Sequence, residues 1–148
     1  MNMNEKKILF FDDEVLPSEN LIRNLVTNYG HKITCTSTVA DFVEKLTSEK
    51  YCLLIIDVMA PIPSDMESLG FTYKEIESIK KKEGLITGVV LAERVWREPG
   101  YDNIPIIFLT ARAPFKLNYQ ENRKIRMLQK PVLAKNFSKE INELLEEE

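Results

Sequence analysis

The sequence predicts a doubly wound α/β domain: a five-stranded parallel sheet with helices on both faces. Short apolar runs of strand length alternate with stretches of helical periodicity along the whole chain, the pattern of a sheet built from strand–helix–strand units. The runs are almost continuously apolar, as strands buried on both faces must be. Three of them also stop on polar residues. Ile8-Leu9-Phe10-Phe11 ends on Asp12, Asp13 and Glu14, Leu53-Leu54-Ile55-Ile56 ends on Asp57, and Ile106-Ile107-Phe108-Leu109 ends on Thr110. A weaker run, Met127-Leu128-Gln129, leads into Lys130-Pro131.

Taken in order, the first strand is expected over Lys6 to Phe11. A helix follows from about Pro17 to Asn28, with proline tolerated in its first turn and Leu21, Ile22, Leu25 and Val26 at helical spacing. Gly30 ends it, as a glycine past the last turn commonly does. His31 to Thr36 reads as the second strand, and Thr38 to Ser48 as a helix carrying Val39, Phe42, Val43 and Leu46 inward. Tyr51 to Ile56 reads as the third and most central strand. The beat then breaks from Val58 to about Thr87, which holds Pro61, Pro63 and Gly70 before a lysine-rich stretch, Tyr73 to Glu83, long enough for one or two helical turns. Gly88 to Glu98 resumes as a helix with Val89, Val90, Leu91, Val95 and Trp96 inward, and Asn103 to Leu109 is the fourth strand. A shorter helix at Leu117 to Lys124, a fifth strand at Arg126 to Gln129 and a closing helix from Ala134 to Leu145 complete the chain. The acidic tail Glu146-Glu147-Glu148 sits where the helix macrodipole disfavours negative charge and is expected to fray.

The 148 residues suit a single domain, 1–148, with an insertion at about 60–87. A net charge of −3 gives no reason to expect nucleic acid as a partner, since that binding rests on many lysine and arginine contacts to phosphate. Lys80-Lys81-Lys82, the only basic cluster, reads as a solvated helix face. No signal peptide or membrane span is expected, because the first residues are polar and no apolar run approaches about 20 residues. Cys35 and Cys52 lack metal or redox spacing, so small buried hydrophobes in a reducing cytoplasm are expected.

In the flavodoxin-like strand order 2-1-3-4-5 the first and third strands are adjacent, and ligands of such sheets bind outside the carboxyl ends of the strands. Asp12, Asp13 and Asp57 then crowd one pocket, where mutual repulsion raises a carboxyl pKa unless something positive intervenes. Mg²⁺, a hard cation held by carboxylates, waters and phosphate oxygens, is the natural remedy. Lys130 brings an ammonium to the same edge, and the Thr110 hydroxyl can donate to a phosphoryl oxygen. Taken alone, an aspartate or threonine at a strand end is a common turn or capping residue. What points to phosphoryl transfer is the ordered set of acid pair, acid, hydroxyl and lysine on successive strands.

These residues resemble the receiver domain of two-component response regulators, of which the chemotaxis regulator is a single-domain form. The likeness spans roughly Lys6 to Leu145 and rests on Ile8 to Glu14, Leu54-Ile55-Ile56-Asp57-Val58-Met59, Ile106 to Ala111 and Gln129-Lys130-Pro131. The resemblance implies that Asp57 accepts a phosphoryl group from a phosphohistidine of a sensor histidine kinase or phosphotransfer protein. It implies that Asp12, Asp13, Asp57 and the backbone carbonyl of Met59 bind Mg²⁺, that Thr110 contacts the phosphoryl group, and that Lys130 pairs with it. The protein would be a cytoplasmic signalling switch with only its own phosphorylation and dephosphorylation chemistry, passing its output to an unidentified protein target. Homodimerisation is left open.

Two features depart from the family. Receivers usually place Tyr or Phe three residues before the lysine, where this chain has Met127, so the aromatic form of the activation switch cannot operate. The helix before Met127 also looks short, with only Ala111 to Ile125 between the strands and Pro114 near its start. The other departure is the segment from Ala60 to Thr87, far longer than the loop expected there; a lid or partner-docking element is expected, against a disordered surface insertion. Three other functions compete. A phosphorylation-independent interaction module keeps its footing through Met127. An aspartyl phosphatase of the haloacid dehalogenase type needs a second aspartate two residues after the nucleophile, where Met59 stands. A flavin carrier needs a first loop that welcomes phosphate, and Asp12-Asp13-Glu14 has the wrong sign.

Overall fold

Residues alternating along each apolar run separate into two cores, one on each side of a single sheet. The computed structural model describes residues 6–14, 30–115, 117 and 124–146. Five strands, β1 (Lys7–Phe11), β2 (Lys32–Thr36), β3 (Leu53–Asp57), β4 (Ile106–Thr110) and β5 (Ile125–Gln129), pair in parallel in the order β2-β1-β3-β4-β5. The register sets Phe11 beside both Thr36 and Ile56, Asp57 beside Leu109, and Thr110 beside Gln129, so the carboxyl ends of the strands finish nearly level. This is the expected doubly wound architecture and strand order.

The period of two fixes which side chain goes where. Leu9, Phe11, Leu54, Ile56, Ile106 and Phe108 point to a core shared with helices α1 (Val39–Ser48), α2 (Tyr73–Lys81) and α3 (Thr87–Trp96). Ile8, Phe10, Leu53, Ile55, Ile107 and Leu109 point to the other side, where helix α4 (Ala134–Glu146) lays down Phe137, Ile141, Leu144 and Leu145. In α1 the expected inward residues Val39, Phe42, Val43 and Leu46 are all buried, and the Thr38 hydroxyl caps the helix by accepting the Asp41 N–H at 3.1 Å. The expected inward face of α3 is buried as well. The helices expected at 17–28 and 117–124 lie outside the described residues, apart from Leu117 and Lys124, as do the last two residues of the acidic tail.

Strand bounds shift by one to three residues. β3 begins at Leu53 rather than Tyr51 and takes in Asp57 as its last residue, while β4 begins at Ile106, after Pro105, and takes in Thr110. The cysteine expectation fails. Cys35 is exposed and Cys52 half-buried, because β2 is an edge strand with a neighbour on one side only and Cys52 precedes β3 rather than lying within it.

The insertion is ordered and forms part of the core, which rules against the alternative of a disordered surface segment, and its helix is somewhat longer than the one or two turns expected. Its nine-residue helix α2 starts in a capping box: the Thr72 hydroxyl accepts the Glu75 N–H, and the Glu75 carboxylate accepts the Thr72 N–H. Ile76, Ile79, Met66 and Phe71 are buried in the core that α1 and α3 also line. Arg97 of the α3 cap pairs with Glu75, and Arg94 of α3 donates to the Leu69 carbonyl at 2.9 Å, so the insertion is pinned to α3 by charge as well as by apolar contact. Lys80, Lys81 and Lys82 are exposed, as a solvated face requires. Truncating the fully buried Ile79 to alanine is expected to cost about 2–5 kcal/mol of unfolding free energy in denaturant titration. A cost below about 0.5 kcal/mol, typical of a surface substitution, would mean the insertion is not docked.

Candidate phosphoryl-transfer site

Asp57 and Thr110 are the last residues of their strands, Asp12 and Lys130 stand one step beyond theirs and Asp13 two, and backbone bonds that continue the ladder hold these exits in place. Asp12 N–H donates to the Thr36 carbonyl at 3.1 Å, Val58 N–H to the Leu109 carbonyl at 2.9 Å, and Lys130 N–H to the Thr110 carbonyl at 2.8 Å. The Thr36 hydroxyl, itself buried, donates to the Phe10 carbonyl at 2.8 Å and fixes the exit of β1. Asp12 then accepts the Glu14 N–H at 2.9 Å on Oδ1, a local turn that aims its other oxygen across the sheet edge.

That oxygen meets Lys130. The Lys130 ammonium donates to Asp12 Oδ2 at 2.9 Å and lies 3.5 Å from Asp57 Oδ1. Asp12 and Asp57 are 1% and 5% exposed, while Asp13 stands nearer solvent; one oxygen from each of the three lies within 4.8 Å of the others. The side chains of Asp12, Asp13, Asp57 and Lys130 therefore converge as expected. Thr110 is buried at the end of the adjacent strand, its hydroxyl accepting the Arg112 N–H at 3.1 Å. Lys130 and Pro131 are joined by a cis peptide bond. Met127 is half-buried against the core, and its sulfur accepts the Phe115 N–H at 3.3 Å.

The electrostatics follow from burial and crowding. Burial pushes the Asp57 carboxyl up; the Lys130 charge opposes this, Asp12 and Asp13 add to it, and the pKa is raised to about 7. For Lys130 burial acts downward, yet the hydrogen bond to Asp12 and the charges of Asp57 and Asp12 more than offset it and raise its pKa. The lysine thus remains an ammonium among acids. Three carboxylates of hard oxygen, two of them buried, against one ammonium make a donor set that fits a divalent cation such as Mg²⁺.

The first turn of α3 contributes residues that the sequence analysis did not single out as site residues. The Gly88 N–H donates to the Val58 carbonyl at 2.8 Å, and a Cβ at Gly88 would stand 2.0 Å from the Asp57 carbonyl oxygen. Only glycine lets the helix approach the Asp57 backbone this closely. The available signal was a glycine at the start of an otherwise apolar helix, where alanine would propagate better by about 1 kcal/mol. Beside the acids, a cavity of about 410 Å³ is lined by Asp13, Ser37, Thr38 and the start of the insertion, including Ile62 and Asp65.

Two outcomes are expected. Gly88→Ala should lower unfolding free energy and shift the amide resonances of Asp57 and Val58, because backbone, not a flexible side chain, must give way. The second concerns pH without divalent cations. A raised carboxyl pKa means the folded state holds the Asp57 proton more tightly than the unfolded chain, so stability falls as pH rises from about 4 to about 7 and levels off above. The loss is on the order of 2–4 kcal/mol. Denaturation at a series of pH values should show this slope, and Asp57→Asn should remove most of it.

No protein-family model matches the chain, and no curated protein matches it. Solved structures do. A Francisella response regulator receiver domain is 18% identical, with a TM-score of 0.68 and cover of 97% of this chain and 98% of that one. A CheY-like response regulator receiver domain protein from Methanospirillum hungatei is 18% identical, with a TM-score of 0.67 and cover of 97% and 95%. The receiver domain of a Pseudomonas aeruginosa sensor histidine kinase, with magnesium coordinated in its active-site cleft, is 14% identical, with a TM-score of 0.64 and cover of 96% and 98%. The chain has, over nearly its whole length, the fold of the response regulator receiver domains.

Proposed function

We propose that this protein is a phosphorylatable receiver in which Asp57 is the phosphoacceptor. The observation that carries the reading is the convergence of Asp12, Asp13 and Asp57 within 4.8 Å, with Lys130 bonded to Asp12 and adjacent to Asp57, in a receiver fold. An Asp57 carboxylate oxygen attacks the phosphorus of a phosphohistidine, the P–N bond breaks, the imidazole leaves with that electron pair, and an acyl phosphate forms. Such transfers call for positioning and charge neutralisation more than for covalent help.

Asp12, Asp13, Asp57 and the Met59 carbonyl would hold Mg²⁺, which supplies positive charge where the phosphoryl oxygens gather. Lys130, already an ammonium between Asp12 and Asp57, is placed to pair with a phosphoryl oxygen once Asp57 is modified. Thr110, whose hydroxyl accepts the Arg112 N–H, keeps its own proton to donate to that group. Hydrolysis returns Asp57, so the protein is a switch with no other substrate. Its partners are a sensor histidine kinase or phosphotransfer protein upstream and a protein target downstream. With Met127 in place of an aromatic residue, activation has to run through a thioether repacking against the core and the Phe115 backbone. The switch would act in the cytoplasm; no described helix is long and apolar enough to cross a membrane.

Incubation with a small phosphodonor and Mg²⁺ should add the mass of one phosphoryl group to the intact protein. The adduct should be absent from Asp57→Asn and from samples treated with a chelator. An adduct that persists in Asp57→Asn, or none in the wild type, would leave an interaction module that works without phosphorylation.

A further inference from the structure

The geometry points to Gly84 to Gly88, where the insertion closes and α3 begins, as the element that aims the Met59 carbonyl at the metal, with Thr87 as its positioning residue. This inference rests on the metal site proposed above. The peptide joining Met59 to Ala60 is planar and trans, since Lys130–Pro131 is the only cis bond recorded among the described residues. The Met59 carbonyl and the Ala60 N–H therefore point in opposite directions, and whatever holds the N–H sets the direction of the carbonyl. The Ala60 N–H donates to the Gly84 carbonyl at 3.2 Å.

Thr87 locks that pair. Its fully buried hydroxyl lies 2.9 Å from the Ala60 carbonyl and 3.2 Å from the Gly84 carbonyl, bridging both sides of the junction. Gly84 has a φ of +85°, and a Cβ there would stand 2.6 Å from the Ala60 carbonyl oxygen, so this approach also requires glycine. On the other side of Met59, the Val58 N–H is held by Leu109 and the Val58 carbonyl by Gly88. Both neighbours of Met59 are thus fixed by hydrogen bonds, one to the sheet and α3, the other to the closing turn of the insertion. The insertion, through its own base, sets the direction of a metal ligand.

The test compares Thr87→Val, which keeps the shape and loses the hydroxyl, with Thr87→Ser, which keeps the hydroxyl. Mg²⁺ affinity of the unphosphorylated protein is read by calorimetry at fixed pH. Losing one buried hydrogen bond should weaken Mg²⁺ binding about three- to tenfold in the valine variant, while serine stays within about twofold of wild type. A folded valine variant with wild-type affinity, or a serine variant as weak as valine, would overturn the inference. If the valine variant does not fold, the wild type labelled with ¹³C at methionine carbonyls decides: the Met59 resonance must move on Mg²⁺ saturation and the Ala60 amide must be protected from exchange, and failure of either rejects the assignment. Failure of the wild type itself to bind Mg²⁺ would instead reject the metal site proposed above.

Discussion

The site is governed by one electrostatic constraint: three carboxylates at the tips of two neighbouring strands share a single ammonium. When all four groups are ionised, two negative charges remain without compensation in a pocket where Asp12 and Asp57 are almost fully buried. Such an arrangement costs stability, and the upward shift of Asp57 expresses that cost. The sheet tolerates it because the large buried faces around β1, β3 and β4 are apolar and regular. Strain from the acids is concentrated at one edge, where a cation or a phosphoryl group can relieve it. Natural proteins commonly depart from local optimality at functional positions and make up the difference elsewhere.

Much of this was legible in the sequence because the signals were periodic or terminal. Alternating residues in Ile8 to Phe11 specify two cores, and the inward residues of α1 and α3 follow helical spacing. Polar residues at the ends of apolar runs marked Asp12, Asp57 and Thr110, and parallel pairing in the order found turns those ends into one location. What the sequence concealed depends on tertiary neighbours. The docking of the insertion rests on Glu75 reaching Arg97 and on Ile76 and Ile79 finding the core, and neither is visible in a segment with a mean polar character and three consecutive lysines. The role of Gly88 is a matter of clearance against another strand's backbone, which no local pattern encodes. Cys35 misled for a related reason, since whether a strand lies at an edge is decided by pairing and not by its own residues.

The insertion also changes how the region after β3 is understood. A long, proline-containing stretch beside a buried acidic cluster invites a reading as a mobile cover, yet it carries a capped helix, a buried face and an ion pair to α3. Excising Ile62 to Glu83 would therefore strip apolar cover from the core, and any functional loss would mix folding with chemistry. Its first residues, Ala60 to Asp65, border the cavity beside Asp13, while its last, Gly84 and Thr87, bond the Ala60 backbone next to the acids.

The meeting of Ala60 with Gly84 and Thr87 has a consequence for how such a segment can vary. Because the two ends are bonded to each other, the polypeptide between them closes a circuit whose entropic cost grows only with the logarithm of its length. Residues can be gained or lost between these anchor points while the strand tips keep their places, provided Ile76 and Ile79 are replaced by something equally apolar. The same junction therefore makes the segment exchangeable in length and holds the acidic edge constant.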